Sequence, residues 1–388
     1  MVSDIHVYLR TAKSQDNPFG FAEVPQIPEN ECCVVYLGGD GAVNNKAANG
    51  YAKIIENEIL KPFSAQIPVY SVRYDFGNGK QGYSRKHLFN KYRMILSSKR
   101  AAEYEKKCGP EECDPQYVEE LYKKIIEPRI SRDGKRLSAE EAMRNLRKIT
   151  FVAHCHGAFT ALKLEEKMQE KMKELGYPDK ERTLIQQQML VAAHAPACPL
   201  GVAKSTFIGF MSAADKEVPQ GLNYFTHYIN NRMMEESRRY YAEEDKDTEK
   251  INQNRWFDLK PSFMRGKMGN FFLIKQKYAY SEEGPCLINS EEHNDVSYSS
   301  EGQSDDGKLM MRLSQNIIRN GVKNALQQEQ SFIPLPPIDE LVLSGNEKIC
   351  TKEKKVFSQM CANGKALEKE IYAAGRKMIM DSLTAQRP

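Results

Sequence analysis

The chain lacks a long hydrophobic run and has little excess of either charge. No stretch of about 18 consecutive apolar residues occurs, so we expect no transmembrane segment. Among its 388 residues, 56 Lys and Arg nearly balance 52 Asp and Glu, and the formal net charge is +4. The two signs are intermixed, so no basic patch of the kind that binds nucleic acid stands out, and we expect no nucleic-acid partner.

We also expect no secretory signal peptide, because no basic region precedes an apolar run in Met1 to His6. The nine cysteines are scattered and odd in number, and a chain of this length does not need disulfides for stability. We therefore expect a soluble protein in a reducing compartment, the cytoplasm, with signal-independent export as the alternative.

Short apolar runs alternate with helical patterns through most of the chain. This alternation predicts the α/β class, with a mostly parallel sheet covered by helices on both faces. In such sheets, functional residues collect at the carboxyl ends of the strands. The runs that predict strands are 32–37, 68–74, 149–153, 188–193, 206–211 and 270–276.

Two charged, helix-like segments, at about 80–137 and 220–268, interrupt this alternation. They predict helical insertions, which are either solvated helices or a cap over a cleft. We place one core domain at 1–333, including a polar loop at 281–307, and a linker with a helical tail at 334–388. The basic helices of the tail are a candidate for peripheral membrane contact, although such helices more often pack their apolar stripe on the domain.

The most specific motif is Ala153-His154-Cys155-His156-Gly157, between a predicted buried strand and a long predicted helix. A strand-to-helix turn this tight strains its central residue, and small residues two positions away on each side relieve the crowding. The turn lifts Cys155 above the sheet at a helix N-terminus, where the dipole and free N–H groups favour a thiolate and an oxyanion. The alternative is an inert, buried thiol beside a turn.

This pentapeptide resembles the nucleophile elbow of the α/β-hydrolase superfamily, G-x-S-x-G, with cysteine as the nucleophile and alanine at the first small position. Cysteine in this place is similar to dienelactone hydrolases and polyhydroxyalkanoate synthases. The superfamily's chain order of nucleophile, acid and histidine implies Asp215 as the acid and His293 as the base. Asp215 precedes Val-Pro as in the family's acid loop, and His227 is the rival base. A turn-capping aspartate and a solvated loop histidine are the alternatives.

The resemblance also implies an oxyanion hole made of two backbone N–H groups. One belongs to His156, the residue after the nucleophile. The other belongs to Gly39 or Asp40, in the glycine-rich loop that follows the strand at 32–37. Glycine allows the backbone to approach a substrate oxygen closely. A plain glycine turn is the alternative interpretation of the same residues.

A metal site is the weaker interpretation of the cysteine and histidine residues in this region. His154, Cys155, His156, His194 and Cys198 lie after two strands that could be neighbours of each other. No local pair among them has the spacing of zinc ligands, so we expect no metal.

These features predict an esterase-like, cysteine-dependent hydrolase of a small-molecule or acyl substrate. The substrate would be an ester, thioester or amide, processed through an acyl-enzyme on Cys155 without a cofactor. An acyltransferase of the same fold is the first alternative, because cap shape and water access decide the acceptor. The second is a binding protein that has kept the fold without the activity.

Overall fold

The computed structural model describes the central part of the chain and much of both ends. The described residues are 4–11, 15, 20–39, 52–63, 66–75, 115–196, 198, 200–212, 255–256, 261–265, 269–274, 277–281, 284–287, 305–329, 331–343 and 347–384.

Fourteen strands lie within the described residues, and nine of them form one sheet in the order β11-β12-β9-β8-β7-β3-β4-β1-β2. The others form a three-stranded sheet, β10-β13-β14, and a two-stranded hairpin, β5-β6. The strands are β1 Asp4–Arg10, β2 Phe21–Val24, β3 Cys33–Leu37, β4 Val69–Asp75, β5 Ser131–Arg132, β6 Lys135–Arg136, β7 Ile149–His154, β8 Leu190–His194, β9 Thr206–Ser212, β10 Arg255–Trp256, β11 Ser262–Met264, β12 Asn270–Ile274, β13 Lys277–Ser281 and β14 Gly284–Leu287.

The described helices connect and cover these strands. They are α1 Pro115–Leu121, α2 Glu127–Ile130, α3 Ala139–Arg147, α4 His156–Glu174, α5 Asp179–Gln186, α6 Asp305–Leu326, α7 Ile338–Val342 and α8 Glu347–Thr384. Two π-helical turns, Ile55–Ile59 and Tyr122–Ile126, and a 3₁₀ turn, Leu200–Val202, accompany them.

The centre of the large sheet is parallel, as the alternating pattern predicts. The adjacent strands β12, β9, β8, β7, β3 and β4 all run in one direction. Antiparallel strands flank them, β11 at one end and β1 with β2 at the other. Every residue of β3 and β8 is buried, which requires that both faces of the sheet are covered, because side chains alternate between the faces. A mixed α/β architecture with a large, mostly parallel sheet is therefore confirmed.

Helix α6 covers one of these faces, and its contact with the sheet depends on Gly321. A β-carbon at Gly321 would lie 2.5 Å from Leu190 Cδ2 and 3.2 Å from Thr150 Oγ1. The helix backbone therefore lies directly against β7 and β8. Helix α4, which follows β7 along the chain, also packs on β7, β3 and β8.

Local signals fix the ends of two helices that lead to the site. Ser138 caps α3, because its hydroxyl accepts the N–H of Glu141 at 3.2 Å, as the capping box predicts. Gly176, at φ 79°, ends α4, and the next N–H, of Tyr177, donates to Met172 at 2.9 Å. This is the Schellman arrangement, which satisfies carbonyl groups at a helix C-terminus.

The described part of the first predicted insertion, 115–137, packs on the core. Tyr122, Ile125, Ile126 and Ile130 are buried there. The guanidinium of Arg129, fully buried, donates to backbone carbonyls of Pro28, Glu29, Glu31 and Asn145. Residues 76–114 lie outside the described residues, so a cap stays a prediction.

The second predicted insertion and the loop after it contain strands. Strands β10 and β11 lie inside the segment 220–268, so the expectation of a helix is wrong at 255–256 and 262–264. Most of this segment is outside the described residues. Strand β14, Gly284–Leu287, pairs with β13, so the expectation of a loop from 281 onward is wrong at these residues. These four residues form a strand because they pair with β13 in a hairpin, which the local sequence does not indicate.

The C-terminal helix α8 covers the edge strand β11. Phe357 packs on Phe263, with ring centroids 5.5 Å apart, and a β-carbon at Gly364 would lie 1.9 Å from the Phe263 carbonyl oxygen. Such a cover shields an edge that would otherwise present unpaired backbone groups. Among the described helices, α8 included, none is long and apolar enough to cross a membrane. The boundary at 333 and membrane contact by the tail stay predictions.

Candidate active site

The predicted strand-turn-helix is present, and Cys155 is its apex. Strand β7 ends at His154 and helix α4 begins at His156, which leaves a single residue for the turn. Cys155 adopts φ 51° and ψ −118°, outside the regions that non-glycine residues normally occupy. Such a conformation costs about 1–3 kcal/mol and persists only where the surroundings enforce it.

Backbone hydrogen bonds to the neighbouring strand β8 and to helix α4 hold this turn. The N–H of Cys155 donates to the carbonyl of His194 at 3.0 Å, and its own carbonyl accepts the N–H of Ala158 at 3.1 Å. The next strand end is held in the same way, since the N–H of Ala195 donates to Phe210 at 2.9 Å. Ala195 also has positive φ, 44°. Strained residues thus follow both β7 and β8 at the carboxyl edge of the sheet, where functional residues were expected.

The glycine loop after β3 is pressed against this turn. A β-carbon at Gly157 would lie 1.9 Å from the carbonyl oxygen of Leu37, so only glycine fits at the start of α4. A β-carbon at Gly39 would lie 2.9 Å from Cys155 Cβ. The backbone of the predicted oxyanion loop therefore lies beside the thiol-bearing residue. Asp40, the other candidate of that loop, is outside the described residues.

Two buried thiols lie in this region, with different surroundings. Cys155 is 3% exposed and Cys198 is 1% exposed. Burial, and then electrostatic repulsion by Cys155, raise the pKa of the Cys198 thiol above its usual range. Cys198 is thus held as a neutral thiol and fits the inert role better than the role of a nucleophile.

His194 is a structural histidine, which the sequence pattern left open. Its ring is fully buried, with Nε2 2.5 Å from Ser314 Oγ of α6 and its plane edge-on to Phe210. Burial and the neighbouring His154 lower the pKa of His194 to about 3. The imidazole is therefore neutral across the physiological pH range. His194 therefore connects two parts of the site: its ring contacts Ser314 of α6, and its backbone carbonyl accepts the N–H of Cys155.

His154 is the described imidazole that faces the glycine loop. It is partly exposed, and its Nδ1 lies 3.3 Å from the position of a β-carbon on Gly39. It is also the direct partner of His194 in the pairing of β7 with β8. The sequence pattern indicated no role for His154 other than the weaker one of a metal ligand.

Asp215, His293 and the rival His227 lie outside the described residues. The backbone of His156 is described, as the first residue of α4, and it follows Cys155 as an oxyanion donor should. The acid and the base of the triad therefore stay predictions.

Within the ranges given above, no group of three or more His, Cys, Asp or Glu residues is arranged to hold a metal ion. No family model matches the chain, and no curated protein matches it. A function for this site therefore has to follow from its own chemistry.

Proposed function

We propose that the protein is a cysteine-dependent hydrolase of the α/β-hydrolase type that cleaves an ester, thioester or amide. The observation that carries this proposal is the backbone of Cys155, at φ 51° in a one-residue turn between a buried strand and a helix. A thiol with a purely packing role needs no such conformation, and glycine would adopt it at lower cost. Strained residues of this kind are concentrated at active sites.

The reaction begins with attack by sulfur on a carbonyl carbon. A base takes the Cys155 proton, and the new S–C bond gives a tetrahedral intermediate whose oxygen carries the negative charge. The bond to the leaving group then breaks, and the leaving group receives the proton from the base. Water adds to the thioester in the same way, the C–S bond breaks, and the carboxylic acid and the free thiol are released. His293 is the proposed base, oriented by Asp215.

Backbone N–H groups would stabilise the intermediate oxygen. The N–H of His156 lies at the start of α4, where N–H groups lack partners within the helix. The loop at Gly39 would supply the second side of the hole, since a β-carbon on Gly39 would lie only 2.9 Å from Cys155 Cβ. A donor of this kind contributes about 10²–10³-fold in turnover.

Hydrolysis of p-nitrophenyl acetate is a direct test, with Cys198→Ala as the matched control. Both substitutions remove a buried thiol from the same region, so their packing costs are comparable. We expect Cys155→Ala to abolish release of p-nitrophenol while its melting temperature stays near that of the parent. Cys198→Ala should keep turnover within a few-fold.

Chemical labelling gives a second readout. We expect iodoacetamide to modify Cys155 in the native protein before Cys198, because the Cys198 thiol is held neutral. Product analysis with an added alcohol or thiol acceptor separates hydrolysis from acyl transfer. Activity that survives Cys155→Ala would refute the proposal. A native protein without turnover and without selective Cys155 labelling would favour the binding protein instead.

A further inference from the structure

The segment that joins α6 to α7 is rich in proline, and its exposure repeats every three residues. From position 331 its sequence is Ser-Phe-Ile-Pro-Leu-Pro-Pro. Ser331, Pro334 and Pro337 are exposed, whereas the residues between them are half-buried. Pro337 has φ −53° and ψ 152°, close to polyproline II geometry, in which every third residue lies on the same face. Pro334 and Pro337 therefore belong to one exposed ridge.

Side-chain amides of α6 and of the turn after it hold the backbone of this segment. Gln328 accepts the N–H of Ile333 at 2.9 Å and donates to the carbonyl of the same residue at 2.6 Å. Asn324 donates to the carbonyl of Pro334 at 3.2 Å. The ridge is thus ordered before any partner binds, which lowers the entropic cost of binding.

The same backbone contacts exclude the addition of this segment to a partner's sheet. Three of the residues in 333–337 are prolines and have no N–H. The other two N–H groups are already used, because that of Ile333 donates to Gln328 and that of Leu335 donates to the side-chain oxygen of Gln188 at 3.3 Å. A partner would therefore have to recognise the side chains, as aromatic-lined grooves recognise polyproline helices.

The charges around the ridge indicate the kind of groove that fits it. No Lys or Arg occurs in residues 324–347. Glu329 and Glu340 are exposed on either side of the ridge along the chain, and the nearby Asp339 pairs with Arg265. Since interfaces match charges of opposite sign, the complementary groove has a basic rim.

We propose that Pro334 and Pro337 form a docking ridge for a protein domain with an aromatic-lined, basic-rimmed groove, of the kind that SH3 and WW domains use for polyproline helices. Such grooves read prolines three positions apart, which is the spacing of these two exposed rings. This role is independent of the proposed hydrolase activity. A segment that only connects α6 to α7 would need prolines for stiffness, but it would not need both rings at the surface.

The experiment titrates the full-length protein against a panel of purified SH3 and WW domains, some with basic and some with acidic groove rims. Calorimetry gives the dissociation constant, and NMR signals of the domain's aromatic groove locate the contact. The test variant combines Pro334→Ala with Pro337→Ala, and the matched control is Pro178→Ala. Pro178 is also exposed and precedes a helix with similar geometry, φ −59° and ψ 151°, but it has no second proline three positions away.

We expect domains with basic rims to bind the parent through the aromatic groove, and more tightly than domains with acidic rims. The double proline variant should bind at least about 10-fold more weakly, with an unchanged melting temperature within a few degrees, whereas Pro178→Ala should stay within about 2-fold of the parent. Glu329→Gln combined with Glu340→Gln should weaken binding at low salt.

Three results would overturn the proposal. The first is that no domain of the panel binds the parent. The second is that the double proline variant and the parent bind with equal affinity. The third is a dimer of the parent that the double proline substitution abolishes, since the ridge would then serve a second copy of this chain rather than a groove of another protein.

Discussion

Mild acid should weaken the protein through His194. Its ring is fully buried against Ser314 and Phe210, and its pKa is lowered from 6.5 to about 3, first by burial and then by His154. In the unfolded chain the same ring takes up a proton near pH 6.5. Below that pH the unfolded state therefore binds more protons than the folded state, and the free energy of unfolding falls as the pH falls.

The size of this effect follows from the two pKa values. The contribution of His194 is fully present above pH 6.5 and is lost progressively down to about pH 3. Between pH 7 and pH 5 the loss amounts to about 2 kcal/mol. That is a substantial part of the stability of an ordinary domain, which is about 5–15 kcal/mol.

Urea unfolding at pH 7, 6 and 5 measures this loss in the parent protein, in His194→Gln and in Ser314→Ala. The parent and the variants share all other titrating groups, so the contributions of those groups to the pH dependence largely cancel when the parent is compared with a variant. We expect the stability advantage of the parent over His194→Gln to shrink by about 2 kcal/mol from pH 7 to pH 5. Ser314→Ala keeps the imidazole, so it should be less stable by about 1 kcal/mol yet retain the acid sensitivity. An equal pH dependence in the parent and in His194→Gln would refute the assignment of a buried, neutral histidine.

Three further predictions concern strain and close contacts. Gly157→Ala should prevent normal folding and lower the free energy of unfolding by more than about 3 kcal/mol in urea denaturation, because its β-carbon would overlap the Leu37 carbonyl. Gly134→Ala is the control, since Gly134 has positive φ but open space around it, and it should cost only about 1 kcal/mol in the same assay. In urea unfolding, the Cys155→Gly variant should be more stable than Cys155→Ala by about 1 kcal/mol, because glycine adopts this backbone conformation freely. Equal unfolding free energies for the two variants would contradict the strain at Cys155. Arg147→Met should cost about 2–4 kcal/mol in thermal or urea unfolding, because the buried guanidinium donates to Asn324 and Gly321, and a neutral outcome would show that these acceptors find other donors.

The central strands and the elbow could be predicted because their signals are local. The run 149–153 is apolar and rich in β-branched residues. The capping box at Ser138 marks the helix start before this run, and the small residue Gly157 marks the helix start directly after it. The edge strands gave weaker signals. Strand β1 alternates polar and apolar residues, and its place in the sheet depends on β4, about 65 residues further along the chain, which no local pattern specifies.

The supporting contacts of the site could not be predicted for the same reason. His194 and Ser314 are 120 residues apart, and the contact exists only because α6 packs across the end of β8. The sequence indicated that His194 follows an apolar run, but it did not indicate that the imidazole is buried and therefore neutral. Likewise, the proximity of His154 to Gly39 depends on the pairing of β3 with β7, which sequence order alone does not give.

The contact between Gly157 and the end of β3 has a consequence for how this site can change. Because the first turn of α4 packs tightly on the Leu37 and Gly38 carbonyl groups, we expect Cys155 and the residues that directly follow β3 to move together as one block. A mutation that shifts one of them should shift the other, so the spacing between the proposed nucleophile and the proposed oxyanion donors would be preserved or lost as a whole. Diversity in substrate choice, in evolution or in the laboratory, would therefore have to arise in the segments that surround this block.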